Sequence, residues 1–161
     1  MSKIELAEFA AAIPDDWNVQ GMLTLTLPSD DKNVKPNVIV TKEYLPRPVE
    51  LEEYFAKIKE SIQKRGIKDL KISDERDVAI SGVRGKMMVC SWDVAAMAEL
   101  MKQKEPARQT PAITPGQIVK QVQVTLLKEL LAINMTASFP ERDFATYYRP
   151  FQQFLKSLKI A

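Results

Sequence analysis

Four stretches of this chain alternate with period two, the spacing of side chains on a β-strand: Met22–Leu27, Asn37–Thr41, Val119–Leu126 and Leu131–Phe139. One parity of each is apolar: Leu23, Leu25 and Leu27; Val38 and Val40; Val122, Val124 and Leu126; Leu131, Ile133, Met135 and Phe139. The opposite parity carries no charge: Met22, Thr24 and Thr26; Asn37, Ile39 and Thr41; Val119, Gln121, Gln123 and Thr125; Ala132, Asn134, Thr136 and Ser138. A sheet with one buried and one solvated face normally alternates apolar with polar residues. A face meant only for water would draw on the Lys and Glu that this chain uses freely elsewhere. Amides, hydroxyls and scattered aliphatics suit a face that meets something other than water, which points to binding rather than catalysis.

A length of 161 residues fits a single domain over 1–161, large enough to bury a core without staples. The formal net charge of +2 provides no electrostatic case for nucleic acid or an anionic membrane. The one cysteine, Cys90, excludes an internal disulfide framework and fits a reducing compartment. The N-terminus MSKIELAEFAAAIPDDW has acidic residues within its apolar stretch and lacks a secretory h-region. No window reaches the roughly 20 apolar residues of a membrane-spanning helix, so stable membrane insertion is not expected and a cytoplasmic location is. Histidine is absent, which removes the commonest general base, the Ser-His and Cys-His pairs, and most zinc sites. No phosphate-cradling glycine motif is present either. No enzyme activity, metal or cofactor is expected.

Along the chain, Lys3–Ile13 reads as a first strand ending at Pro14, with Trp17 plugging one end of the core. Met22–Leu27 and Pro36–Tyr44 follow as strands around a turn-rich Pro28–Asn33. Val49–Arg65 places Leu51, Tyr54, Phe55, Ile58 and Ile62 on one helical stripe, with Gly66 as its stop. Ile67–Ile80 and Val83–Val94 make a hairpin through Ser81-Gly82, and Gly85 marks a bulge. Ala95–Pro115 is an insertion that opens as a short helix and becomes Pro- and Thr-rich; it reads as mobile. Its Met97, Leu100 and Met101 suit either adaptable binding or packing back on the sheet. Gln117–Leu127 and Leu130–Phe139 close as a hairpin turning at Lys128-Glu129. A last helix from Glu141 to Leu158 carries the core stripe Phe144, Tyr147, Tyr148, Phe151, Leu155 and Leu158, with Pro150 inside it. The expected class is α+β: an antiparallel sheet with two amphipathic helices packed on one face. Trp92 and Cys90 read as buried packing residues. The acidic pairs Asp15/Asp16, Asp30/Asp31 and Glu52/Glu53 read as turn and helix-start chemistry.

Several phrases in this order resemble the DcrB-related family: F-x-x-x-I-P-D-D-W from Phe9 to Trp17, P-N-V-I-V-T-K-E from Pro36 to Glu43, L-E-E-Y-F, V-K-Q-V-Q-V, and S-F-P-E-R-D-F-x-x-Y-Y-x-P-F. The resemblance covers nearly the whole chain apart from Ala95–Pro115 and implies the fold of the photosystem subunit PsbP. Members without a signal peptide are similar to the Eag chaperones of type VI secretion, which as dimers cradle the N-terminal transmembrane helices of an effector. In that family a glutamine on the penultimate strand contacts the helices, and Gln121 stands at the matching place. The same matching puts Met22, Thr24 and Ile39 on the cradle. The expected contact surface is therefore Met22, Thr24, Asn37, Ile39 and Gln121, with Gln123 and Asn134 behind them. The expected partners are an effector with apolar N-terminal helices and a second copy of the chain.

Interleaved Thr, Gln and Asn would keep such a cradle from aggregating when empty, and the absence of charge would spare desolvation when it is full. Other readings of the same face stand beside this one. The residues also fit a Thr-rich solvated sheet surface, or a face covered by the insertion or a second copy. They fit as well a general interaction module with a soluble partner, or a small-molecule site.

Overall fold

The computed structural model describes residues 2–6, 9–17, 21–32, 34–107 and 116–160. Two strands, β1 (Ser2–Leu6) and β2 (Phe9–Ile13), pair antiparallel from Ser2↔Ile13 to Leu6↔Phe9. The single strand expected over Lys3–Ile13 is thus a hairpin; the run Ala10-Ala11-Ala12 has no alternation that separates the two possibilities. Six further strands form the main sheet: β3 (Met22–Thr26), β4 (Asn37–Tyr44), β5 (Lys71–Ile80), β6 (Val83–Asp93), β7 (Ile118–Lys128) and β8 (Leu131–Pro140). Their spatial order is β3-β4-β8-β7-β6-β5, with every neighbouring pair antiparallel. The helices are α1 (Leu51–Gln63), α2 (Val94–Lys104) and α3 (Phe144–Ser157), the last preceded by a 3-10 turn at Glu141–Asp143. The class is α+β, as the alternation implies.

The helices do not share one face. On one side α3 lays Phe151 and Leu155 against Val38, Met87, Val89, Val122, Val124, Met135 and Phe139, with Phe144, Tyr147 and Tyr148 packed around them. On the other side α1 lays Phe55 and Ile62 against Met88. Met87 and Met88 are successive residues of one strand, so their side chains point to opposite faces. The expectation of a single helical face fails for that reason. The sign of it is in β6, where Met87 and Val89 are apolar on one parity and Met88, Cys90 and Trp92 on the other; a strand apolar on both parities is covered on both faces. The α3 stripe is core, as its period predicts, and the helix runs on through exposed Pro150.

The insertion is more ordered at its start than its composition suggests. Asp93 caps α2 by accepting from Ala95 N at 2.8 Å, and its other carboxylate oxygen accepts from Gly116 N at 2.7 Å. Val94 N donates to Gln117 O at 2.9 Å beside them. Both ends of the excursion are therefore tied to one residue. Met97 and Leu100 pack on a cluster of Cys90, Trp92, Val94 and Val119, which decides their role in favour of packing on the sheet. The mobility expected of the Pro-rich part falls largely outside the described residues.

A second carboxylate organises the long β3–β4 connection. Asp31 is buried; one oxygen accepts from Val34 N at 2.9 Å, and the other from Gln117 Nε2 at 2.7 Å and Arg142 at 3.0 Å. Turn chemistry accounts for the first of these bonds only. The other two fasten the loop to the start of β7 and to the turn before α3. Trp17, expected to plug the core, is 64% exposed.

The hairpin turn at Ser81-Gly82 is found, with positive φ at both residues, 54° and 74°. The β7–β8 turn sits one residue later than expected, since Lys128 still pairs with Leu131 and Glu129 takes the left-handed conformation. The strand expected from Ile67 begins at Lys71, after a turn in which Asp69 has φ 62°. The β5–β6 bulge lies between Ile72 and Asp74 rather than at Gly85. Gly85 has a different reason to be glycine: a Cβ there would collide with the Leu126 side chain and the Thr125 carbonyl oxygen. Gly85→Ala should therefore cost about 1–3 kcal/mol, read as a fall in midpoint in urea unfolding; an unchanged midpoint would mean the strands separate freely there.

Candidate partner-binding face

The pairing register aligns Thr24, Ile39, Thr136, Gln123 and Met88 in one row across the sheet. Met22, Thr41, Asn134, Thr125 and Lys86 form the row on one side of it. Thr26, Asn37, Ser138, Gln121 and Cys90 form the row on the other. All seven residues expected at the contact surface thus lie on a single face, opposite α3. They do not lie in a single environment.

Over β6 and β7 this face is covered. Met88 and Cys90 are fully buried, under α1 and beside the α2 cluster respectively. Gln121 and Gln123 are 7% and 5% exposed. Their amides bond sideways, to β8 and, for Gln121 Oε1, also to β6, where it accepts from Cys90 Sγ at 3.8 Å. Gln121 Nε2 donates to Ser138 Oγ at 3.1 Å, and Thr136 Oγ1 donates to Gln123 Oε1 at 2.6 Å. Thr125, fully buried, donates to Asn134 Oδ1 at 2.8 Å. Asn134 Nδ2 in turn donates to the hydroxyl of Tyr54 at 2.9 Å, and that hydroxyl donates to Glu43. Buried polar groups need such partners, since an unmade bond costs about 1–3 kcal/mol. The two glutamines and Thr125 are therefore built into the fold as a ladder. Tyr54, Met88 and Cys90 complete this side of the face and were not singled out for it; apolar residues on the second parity of β6 were the available signal.

Over β3, β4 and the outer side of β8 the face is open. Met22 is 65% exposed, Thr24 and Thr26 are exposed, and Asn37, Ile39, Thr41, Asn134, Thr136 and Ser138 are half-buried. The strip they form carries no charge. Charges on the same face belong to β4 beyond Thr41 and to the far strands. There Glu43 is taken up by Tyr54, Lys86 pairs with Asp77 at 2.7 Å, and Glu75 pairs with Lys59 of α1. The N-terminal part of α1, through Tyr54, borders the strip at Asn134. Met22, Thr24, Asn37 and Ile39 remain accessible, Asn134 lies at the border, and Gln121 and Gln123 lie under cover.

Burial, reinforced by the bond to Glu43, pushes the Tyr54 hydroxyl up from its ordinary value of 10.0 to about 12, although Asn134 works in the other direction. A phenol whose folded value lies above its unfolded one contributes stability below pH 10 that is lost as pH rises towards about 12. Tyr54→Phe should remove that part of the alkaline decline, seen by comparing urea midpoints below pH 10 and near pH 12; an identical decline in the variant would sink the assignment. Burial likewise pushes the Cys90 thiol up to about 11, against the opposing pull of Arg65. Iodoacetamide should alkylate Cys90 about 100-fold more slowly in the folded chain than in urea; equal rates would show that the α2 cluster opens readily. Among the described residues no three His, Cys, Asp or Glu converge to hold a metal ion. Among them, too, no helix is long and apolar enough to cross a membrane.

No protein-family model matches the chain, and no curated protein matches it. Solved structures do. A Pseudomonas aeruginosa protein of unknown function, PA94, described as a putative regulator, matches all of this chain and 97% of its own, with a TM-score of 0.70 at 17% identity. The solution structure of PsbP from the cyanobacterium Synechocystis sp. PCC 6803 matches over 94% of this chain and 86% of its own, with a TM-score of 0.46 at 9% identity. The likeness to the Pseudomonas protein shows the fold. The chain is an α+β protein with an antiparallel six-stranded sheet, one face covered and the other partly open.

Proposed function

We propose that the open strip is the seat of an apolar helix of a client protein, and that the chain is a cytoplasmic chaperone or adaptor acting without catalysis or cofactor. The observation that carries this reading is the strip itself, from Met22, Thr24 and Thr26 across Asn37 and Ile39 to Thr136 and Ser138. It is exposed or half-buried, uncharged and broad, in a chain that places charge freely elsewhere. The sequence resemblance to DcrB-related proteins, and within them to the Eag chaperones, supports the choice of an effector with N-terminal transmembrane helices as client.

The chemistry fits such a client. Covering apolar helix surface is worth roughly 25 cal/mol per Å². Thr, Asn and Ser can bond water when the strip is empty and polar groups of a helix when it is full, as small polar side chains do between membrane helices. A charge there would have to be desolvated against an apolar surface. The contact is narrower than the family comparison implies: Gln121 and Gln123 would act beneath it, by holding Ser138 and Thr136 in place, while Thr24, Asn37, Ile39 and Met22 touch the client. Three strands span only about 10–15 Å, against about 30 Å for a membrane-spanning helix. One copy would contact one side of such a helix, and a homodimer would enclose it.

Ile39→Asp places an unpaired carboxylate in the middle of the strip. Affinity capture from the native cytosol should recover a protein with predicted N-terminal transmembrane helices, and the variant should lose it while keeping its unfolding free energy in urea within about 1 kcal/mol. Recovery of the same partner by folded Ile39→Asp would exclude this strip. Recovery of soluble partners alone would favour a general interaction module.

A further inference from the structure

The edge of the sheet furthest from the open strip has its own unfilled cleft. β5 is the edge strand there, and among the described residues nothing pairs with its outer side. The two-residue turn at Ser81-Gly82 fixes which of its backbone groups face outward. Ile80 and Val83 flank the turn and exchange hydrogen bonds, so along the ladder Ala79↔Arg84 and Asp77↔Lys86 are the non-bonded pairs. The N–H and C=O of Ala79 and Asp77 therefore point away from β6. Edge strands are normally guarded by charge. In β5 the guard is confined to one end: Lys71, Asp74, Glu75, Arg76 and Asp77 carry charge, while Val78, Ala79 and Ile80 carry none.

Where the guard stops, α3 stands off from the strand and leaves a cleft of about 490 Å³, lined by β5 from Arg76 to Ile80, by Ser81 of the turn, and by Tyr148, Gln152, Leu155 and Lys156 of α3. Its apolar part is Val78, Ile80, Met87 and Leu155. Its charged residues are Arg76, Asp77 and Lys156. Arg76 is shared between Asp74 at 3.2 Å and the Tyr148 hydroxyl at 3.4 Å, and Asp77 is held by Lys86 at 2.7 Å, which leaves Lys156 as the cation with no ion pair among the described residues.

We propose that this cleft takes an extended segment of a partner protein, added as a strand to the free edge of β5 at Asp77 and Ala79. Main-chain bonds to an open edge supply affinity in this mode, and pockets for alternate side chains supply selectivity. Every second side chain of the segment faces Val78 and Leu155, which suits small aliphatic residues. A neighbouring carboxylate of the segment meets Lys156, the cation of the cleft that makes no ion pair among the described residues, so the segment is acidic.

Selection of a displayed library of random heptapeptides on the full chain tests this. The selected peptides should alternate aliphatic residues beside Asp or Glu. Ala79→Pro deletes an outward N–H that the β5–β6 ladder does not use, and proline is tolerated on an edge strand. Lys156→Glu reverses the exposed cation. Each should weaken the selected peptides about tenfold or more, while Ile39→Asp on the opposite half of the sheet leaves them bound. Absence of enrichment would overturn the proposal, as would peptides that bind both variants undiminished. A dimer made monomeric by Ala79→Pro would also overturn it, by showing that the edge belongs to a second copy. Should Ala79→Pro fail to fold, Lys156→Glu carries the test alone.

Discussion

Three consecutive rungs between β7 and β8 determine how the rest of this protein can be assembled. Gln121 faces Ser138, Gln123 faces Thr136 and Thr125 faces Asn134 in the backbone register, and each pair is also joined side chain to side chain. Both faces of β7 are covered, so Gln121, Gln123 and Thr125 are buried and find their partners on the neighbouring strands rather than in bulk water. Sliding β7 by one residue would bring glutamines and threonine under α3 and turn Val122, Val124 and Leu126 towards the ladder. Hydrophobic burial holds the two strands together; the rungs specify which residue meets which. The last rung runs on through Asn134 to Tyr54 and Glu43, so the position of α1 is coupled to the same register.

Much of this architecture is legible in the sequence, and what escapes it does so for identifiable reasons. The closing hairpin and the aromatic stripe of α3 follow from clean periods of two and near 3.6, each with one apolar face packed in the α3 core. The second helical layer escapes because an uncharged polar parity looks the same whether water or a neighbouring side chain satisfies it. Gln123 is the case in point: its amide is occupied by Thr136, which no spacing in β7 alone would reveal. Asp31 is similar, since its partners Gln117 and Arg142 are distant in the chain and a turn-forming aspartate needs neither. Trp17 has no periodicity around it, and residue type alone, which favours the core for tryptophan, does not place it.

The two halves of the uncharged face therefore have separate explanations. Over β7 the absence of charge follows from burial, where an unpaired ion would be costly. Over β3 and β4 burial offers no such reason, because Met22, Thr24 and Thr26 are exposed. The second half is the part free to meet a partner, and the first half serves it by stiffening the strand next door. A rigid floor lowers the ordering cost of any contact made on it.

Asp93 has a consequence for how this fold can vary. It holds Ala95 with one oxygen and Gly116 with the other, while its own backbone pairs with Ile118 across the sheet. To the strands, everything between those two amides is a closed loop whose mouth stays the same width whatever its contents. Lengthening a closed loop costs only logarithmically in chain entropy, about 0.6 kcal/mol per doubling. The segment beyond α2 is thus a place where descendants of this chain, or an engineer, can exchange sequence without disturbing the register of β6 against β7: a socket already fitted with its own collar.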